Sequence, residues 1–335
     1  MRVDNVERLD AGRLAAVLAL SQAAEAVYLV APFSEQVLLA LRGGSTAGSP
    51  HFLAYAGTHL SGYAHLERGL AREAATAEVV VDPADRRRGV GTVLIRALED
   101  ALEDARAPGA GTSQPDTGTA HADAGTLQIW SHGHLNGARA FAVRDGYSTV
   151  RELWAMRRSL ASDADPLPVA TLPPGFRSRP FVVGQDEDAW LQVNAAAFAD
   201  HPEQGRITRR DLDRRIAEPW FDATGFILIE DTRGAAPVLA ASHWTKVAPA
   251  ADGQVSGAEG EVYVVGVDPA YQGLGLGRAV TVLGLAHLRE RGVTEAMLYV
   301  DADNIAAVAT YSRLGFTRSG VDVMYSPAVH PLVPR

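Results

Sequence analysis

Two stretches of this chain have the residue types and spacing to hold an anionic ligand on backbone alone. They are Val81-Asp82-Pro83-Ala84-Asp85-Arg86-Arg87-Arg88-Gly89-Val90-Gly91 and Val267-Asp268-Pro269-Ala270-Tyr271-Gln272-Gly273-Leu274-Gly275-Leu276-Gly277, at a fixed offset of 186. Each reads as a strand end, a proline stop, a glycine turn and a helix start. A turn at the positive end of a helix aims several N–H groups at one spot, which suits phosphate oxygens, and glycine lets the ligand approach the backbone closely. Glycine turns also occur as plain tight turns. Two copies in one context, with Arg86 to Arg88 beside the first, favour a diphosphate cradle.

Other residues invite chemistry with less support. Lys246 is the sole lysine among 31 basic residues, so its compact ammonium is either wanted for itself or a chance of the surface. His132 and His134 flank Gly133, but no third ligand lies nearby, and a satisfied loop histidine is the better reading than a metal site. No metal is expected. The five tryptophans, Trp130, Trp154, Trp190, Trp220 and Trp244, read as core or cleft residues.

The elements that must position the glycine turns repeat with them. Behind each loop comes an apolar helix, a short β run (Leu127 to Trp130; Ala296 to Val300) and a small helix ending in Gly146-Tyr147 or Gly315-Phe316. The chain therefore reads as a duplicated domain. The terminal pairs are offset by only 169, and the missing 17 is the length of Gly109 to Gly125, a Gly-, Thr-, Ala- and Asp-rich segment expected to be a disordered loop added to the first copy. Ahead of the first loop we expect helices near Ala11 to Val27 and Ser34 to Leu41, a strand pair over His51 to Glu67 and a strand at Ala77 to Val81. The second copy should follow with helices near Glu187 to Ala199 and Thr208 to Ala217, and strands at Gly225 to Glu230, Pro237 to Val247 and Glu261 to Val267. Pro166, Pro168, Pro173 and Pro174 mark Ala161 to Gly175 as a linker. The domains expected are thus 1–160 and 176–330 around a linker at 161–175, each an α/β (α+β) layer with a mixed central sheet and flanking helices.

Composition narrows the function. A length of 335 residues suits two domains, and a formal net charge of −9 argues against nucleic acid or an anionic membrane as the main partner. The chain has no cysteine, which fits a reducing cytoplasm. Leu14 to Leu20 is apolar, but Asp4, Glu7 and Asp10 offset Arg2, Arg8 and Arg13, so an amphipathic helix is expected rather than an export signal. No apolar run approaches the roughly 18 residues of a spanning helix.

A dinucleotide-binding Rossmann site competes for Gly273, Gly275 and Gly277, with Asp301 ending a later strand. In that fold the glycines follow the strand almost directly, whereas here Asp268-Pro269-Ala270-Tyr271-Gln272 intervene. The pattern present in both copies, Gln/Arg-x-x-Gly-x-Gly, resembles the pyrophosphate loop of the GNAT superfamily of acetyl-CoA-dependent N-acetyltransferases. Tyr311-Ser312-Arg313-Leu314-Gly315-Phe316 resembles that superfamily's Tyr-x-x-Leu-Gly-Phe ending. Within it, Pro32-Phe33-Ser34-Glu35-Gln36, His201-Pro202-Glu203-Gln204-Gly205, His243-Trp244-Thr245-Lys246 and Gly260-Glu261-Val262-Tyr263-Val264-Val265-Gly266-Val267 resemble the tandem-domain mycothiol synthase family over nearly the whole chain.

The resemblance implies two tandem GNAT domains acting on small molecules: acetyl-CoA as co-substrate and the cysteinyl amine of cysteinyl-glucosaminyl-inositol as acceptor, in a cytoplasmic monomer. It implies acetyl-CoA contacts at Val79-Val80-Val81 and Arg87-Arg88-Gly89-Val90-Gly91-Thr92 in the first copy. In the second it implies Val265-Gly266-Val267, Gln272-Gly273-Leu274-Gly275-Leu276-Gly277-Arg278 and Asn304-Ile305-Ala306-Ala307-Val308-Ala309. The Val265 N–H would meet the thioester oxygen, and Tyr311 would protonate the departing sulfur. Glu35, Glu203, Lys246, Glu261 and Tyr299 would bind the acceptor.

An α-amine with a pKa of about 7.7–8.0 needs only a weak base. Glu261 sits on the strand leading into the second loop, where alternation puts it on one face with Tyr263 and Val265, and it can take that role. The repeat offsets place Ala75 opposite Glu261 and Ala142 opposite Tyr311. The first copy is therefore expected to bind acetyl-CoA without catalysing. Two other functions share these features, a small-amine or aminoglycoside acetyltransferase and a non-catalytic acyl-CoA sensor. Glu261 and Tyr311 speak against the sensor.

Overall fold

A computed structural model describes residues 1–43, 49–69, 74–106, 126–199, 202–247 and 259–328 of the chain. The expected loop Gly109 to Gly125 lies outside them, as does His201. The chain forms two compact units, Met1–Leu153 with Gly320–Arg335, and Trp154–Ser319.

The first unit contains β1 (Arg2–Val6), α1 (Ala11–Tyr28), α2 (Glu35–Gly43), β2 (His51–Ala56), β3 (His59–Glu67), β4 (Ala75–Val81), α3 (Val90–Arg106), β5 (Leu127–Ser131), α4 (Asn136–Arg144) and the start of β6 (Tyr147–Ser159). The second holds the end of β6, then β7 (Phe176–Pro180), α5 (Glu187–Ala197), α6 (Pro202–Gly205), α7 (Arg209–Ile216), β8 (Phe226–Asp231), β9 (Val238–Val247) and β10 (Glu259–Val267). It continues with α8 (Leu276–Glu290), β11 (Glu295–Asp301), α9 (Ile305–Arg313) and the start of β12 (Thr317–Pro327).

The chain crosses between units inside two strands, which differs from the expected division at 161–175. Packing explains this. Met156 and Leu160 are buried in the second unit with Leu314 and Phe316, and Leu167 and Ala170 of the proline-rich stretch pack against the same cluster. Arg158 donates to the Asp165 carbonyl at 2.8 Å and to the Leu314 carbonyl. At the other crossing, Val323 and Tyr325 of β12 sit in the first unit's core and pair antiparallel with Ser131 and Ile129 of β5.

In the first unit the strand order is β1-β2-β3-β4-β5-β12, antiparallel except for the parallel β4–β5 pair. Side-chain alternation sorts β4 between two layers. Ala75, Ala77, Val79 and Val81 pack with Leu94 and Leu98 of α3, while Val80 faces Val17 and Leu20 of α1 and Val37 of α2. Helix α1 is the helix expected, but its apolar residues are not confined to one face: Asp10 caps it by accepting from the Arg13 N–H at 2.8 Å, Val17, Leu20 and Ala24 form its buried stripe, and Val27 is exposed. Among the described residues, no helix is long and apolar enough to cross a membrane.

The second unit repeats the plan with the order β7-β8-β9-β10-β11-β6 and a parallel β10–β11 pair. Leu285 and Leu288 of α8 are fully buried against Val262, Ala296 and Leu298. Each such side chain contributes about 1.5–3 kcal/mol. On the opposite face Trp190 of α5, Leu212 of α7 and Trp244 of β9 form an aromatic core, with the Trp190 indole donating to the Ser242 hydroxyl at 3.1 Å.

Candidate active site

The two glycine turns fold alike. Asp82 and Asp268 each accept a hydrogen bond from the N–H two residues on, Ala84 or Ala270, at 2.8 Å, closing a 3-10 turn before the glycines. Gly273 and Gly275 then take φ of 80° and 77°, and their counterparts Arg87 and Gly89 take 63° and 83°. Arg87 thus holds a left-handed conformation that costs an L-residue about 1–2 kcal/mol, so the first turn keeps its shape despite losing a glycine. A Cβ at Gly89, Gly273 or Gly275 would meet nothing within 4 Å, so each turn has open space beside its glycines. Buried Leu276 anchors the start of α8, while Arg278 is exposed. Two of the three arginines near the first turn have partners: Arg88 bonds Asp85 at 2.8 Å, and Arg86 lies 3.8 Å over the Tyr28 ring.

Ahead of each turn the parallel strands part. The β10–β11 register ends at Glu261 opposite Met297, while β10 stays paired to β9 as far as Val267 opposite Ala241. In the first unit β4–β5 ends at Glu78 opposite Trp130, and β4 stays paired to β3 as far as Val81 opposite Gly62. Val79-Val80-Val81 and Val265-Gly266-Val267 both lie beyond the split, where an extended, amide-bearing ligand could add to the strand edge.

A β-bulge separates the two copies. The β10–β9 register shifts between Val262 and Val264, making Tyr263 the extra residue, while β4–β3 runs without a shift. Val262 and Val265 pack on the α8 side, and Tyr263 and Val264 both pack on the α5–α7 side. Glu261, opposite in face to Val262, shares the α5–α7 side with Tyr263. It does not share it with Val265, as simple alternation predicts, because the bulge inverts the parity of every later residue.

On that face Lys246 is the cross-strand partner of Glu261, with its Nζ 3.7 Å from the carboxylate. The Lys246 ammonium also lies 5.0 Å from the ring centres of both Trp220 and Tyr263, and Arg215 donates to the Tyr263 hydroxyl at 2.7 Å. The site keeps solvent access, with the Lys246 and Glu261 side chains 18% and 23% exposed. Tyr299 is exposed on β11, on the side opposite Ala296, Leu298 and Val300, which are buried beside α8. Tyr311 borders the α8-side cluster together with Val265, Ala307 and Val308, and stacks edge-on against Phe316. Burial pushes its phenol up to about 12, so it stays protonated at neutral pH. Asn304 caps α9 by accepting from the Ala307 N–H, with Ile305, Ala306 and Ala309 in the helix behind it.

Glu35 begins α2 in the first unit, and Glu203 lies in α6, its side chain outside the described residues. Ala75 and Ala142, the repeat counterparts of Glu261 and Tyr311, are 2% and 3% exposed and fill the core beside α3. Glu78 is the carboxylate on the α1–α2 face of β4. Its Oε2 accepts from the Ser34 N–H at 2.7 Å and lies 3.6 Å from the His132 ring, whose Nδ1 is 2.9 Å from Asp322. Burial alone would lower the His132 pKa, but the carboxylates of Asp322 and Glu78 prevail and raise it to about 10. His132 is therefore an imidazolium held between two carboxylates, its Nδ1 bonded to Asp322 and its buried Nε2 beside Glu78 without a hydrogen bond, and among the described residues no group of His, Asp and Glu is placed to hold a metal.

The acetyltransferase (GNAT) family matches residues 19–120 and 191–316, once in each copy. A mycothiol acetyltransferase of Geodermatophilus obscurus is 48% identical over 97% of this chain and 98% of its own length. One of Thermobispora bispora is 48% identical over 92% and 94%. The chain belongs to the mycothiol acetyltransferase family.

Solved structures agree on the fold. A GCN5-related N-acetyltransferase from Sphaerobacter thermophilus superposes with a TM-score of 0.68 at 22% identity, covering 98% of this chain and 96% of that one. A tandem GNAT protein from the clavulanic acid biosynthesis pathway gives the same TM-score at 19% identity, covering 98% and 99%. Membership of the mycothiol acetyltransferase family makes the chain an acyltransferase with two GNAT domains, as the repeated glycine turns imply. The grouping of Trp220, Tyr263 and Arg215 around Lys246 escapes a sequence reading, because it joins separate elements through contacts that residue spacing does not encode.

Proposed function

We propose that this chain transfers the acetyl group of acetyl-CoA to the cysteinyl amine of cysteinyl-glucosaminyl-inositol, and that the second unit performs the transfer. The observation that carries this reading is Glu261, which ends the parallel β10–β11 pair where the strands part and turns its carboxylate to the same face as Lys246.

The residues present fit acetyl-CoA. The open turn from Gln272 to Gly277 would hold the pyrophosphate on backbone N–H groups at the start of α8, and the Gly266 and Val267 backbone would run beside the pantetheine arm. The Val265 N–H would donate to the thioester oxygen as negative charge develops there, a contribution of about 2.7–4 kcal/mol where one such donor has been removed elsewhere. Glu261 would take the proton from the acceptor ammonium, directly or through water. The neutral amine then bonds to the acetyl carbon as the carbon–sulfur bond breaks, the Tyr311 phenol would protonate the departing thiolate, and the second proton of the nitrogen would pass through water to the phenolate, leaving a neutral amide. Lys246 and Tyr299 would hold the acceptor's hydroxyls and carbonyl, so that binding far from the amine orients it.

A coenzyme A release assay tests the assignment by comparing cysteinyl-glucosaminyl-inositol with glucosaminyl-inositol and an aminoglycoside. The cysteinyl glycoside should give the highest kcat/KM. A higher value for the aminoglycoside would leave the reaction type standing and overturn the acceptor.

A further inference from the structure

Lys246 does not reach Glu261 unaided. Its ammonium lies over two aromatic rings at equal distance, 5.0 Å from Trp220 and 5.0 Å from Tyr263, while the carboxylate is 3.7 Å away. The rings contact each other at 5.2 Å in an edge-to-face arrangement. Both belong to the aromatic core of the α5–α7 face: Trp220 lies 5.6 Å and Tyr263 5.3 Å from the fully buried Trp244 ring. The Tyr263 hydroxyl accepts from the Arg215 Nε at 2.7 Å, and the Arg215 Nη1 donates back to the Asp211 carbonyl at 3.1 Å within α7. A flexible four-carbon side chain that must present one charge at one place gains most from such a seat, because cation–π attraction to two faces restricts the ammonium without neutralising it.

We propose that Trp220 and Tyr263 are positioning residues which seat the Lys246 ammonium beside Glu261 for acceptor binding, and that Arg215 holds the seat through the Tyr263 hydroxyl. The bulge decides which face carries this group. In a regular strand Glu261 and Tyr263 would share the face of Val265, which packs beside α8; the extra residue leaves Val265 there and puts carboxylate, ring and ammonium on the α5–α7 face with Val264. In the first unit the unshifted β4 has no such insertion. The inference rests on the reading of Lys246 as an acceptor-binding residue.

The test is steady-state kinetics of the full chain, with acceptor and acetyl-CoA varied separately. Trp220→Leu and Trp220→Phe are similar in volume, so their difference reports the aromatic face rather than packing. Trp220→Leu should raise the acceptor KM about three- to thirtyfold, Trp220→Phe distinctly less, with the acetyl-CoA KM within about twofold of the parent in both. Tyr263→Phe and Arg215→Gln should each give a smaller rise, and the pair together no more than either alone. The deciding comparison is Trp220→Leu in a Lys246→Ala background, where it should add nothing to the acceptor KM. Multiplying losses in that double variant would overturn the seat, as would equal effects of Leu and Phe or a matching rise in the acetyl-CoA KM. If Lys246→Ala alone leaves the acceptor KM unchanged, the acceptor-binding reading fails and the seat with it. If Lys246→Ala raises it and Trp220→Leu does not, the seat alone fails.

Discussion

The two units open the same split ahead of the same turn, but β10 carries one residue more than β4 against its antiparallel neighbour, and that residue changes what the split can do. In the second unit the strands part after Glu261, whose carboxylate faces Lys246 and remains 23% exposed. In the first they part after Glu78, three repeat positions further on, and its carboxylate is 8% exposed and tied to Ser34 and His132. The residue that repeat spacing matches to Glu261 is Ala75, and it packs toward α3, on the opposite face. The first unit therefore does not simply lack a carboxylate beside its split. It has one that is buried, with its Oε2 accepting from Ser34 and lying beside His132, so a carboxylate near a glycine turn is not by itself a poised base.

The comparison breaks most sharply at the turns. Valine at Gly275 must adopt a φ near 77°, which β-branched residues strongly disfavour, and its side chain would enter the open side of the turn. Gly275→Val should remove activity, while Gly89→Val, at a φ of 83°, should leave at least half of the turnover. Equal losses would mean that both turns serve the reaction. Next in size are Glu261→Gln and Tyr311→Phe, each expected to lower kcat by about 10²–10⁴, against a change within about twofold for Glu78→Gln. The Glu261→Gln defect should shrink as pH rises toward the amine's own pKa of about 7.7–8.0, and a pH-independent defect would reassign Glu261 to binding.

A smaller and different effect marks the first unit. His132→Leu leaves Glu78 and Asp322 buried without their imidazolium, a loss of about 3–5 kcal/mol in unfolding free energy. Because the His132 pKa is raised from 6.5 to about 10 on folding, its stabilisation is complete below pH 6.5 and fades as pH climbs through 10. The gap in Tm between parent and variant should narrow over that window, and a constant gap would point to lost packing alone.

Much of this was legible from residues. The repeat, the glycine turns and the strand-loop-helix order all follow from local types and spacing, whereas the pairing of the lone lysine with Glu261 comes only from the β9–β10 register. The bulge does not, since Val262-Tyr263-Val264 reads as an ordinary alternating strand and only pairing with β9 reveals the extra residue. The strand crossings escape for a related reason. Met156 and Val323 are apolar wherever they pack, so periodicity predicts their burial without saying in which unit. The His132 network joins residues 190 positions apart, beyond the reach of any motif.

The account's central claim, that both units hold acetyl-CoA and one transfers from it, is tested most directly by a chase experiment. Radiolabelled acetyl-CoA is bound to saturation, unbound label is removed, and acceptor is added together with excess unlabelled acetyl-CoA on a rapid-quench instrument. The account predicts two labels bound per chain, one of them appearing on the acceptor within a single turnover while the other is displaced unreacted. Two labels transferred at one common rate, or only one label bound, would contradict it.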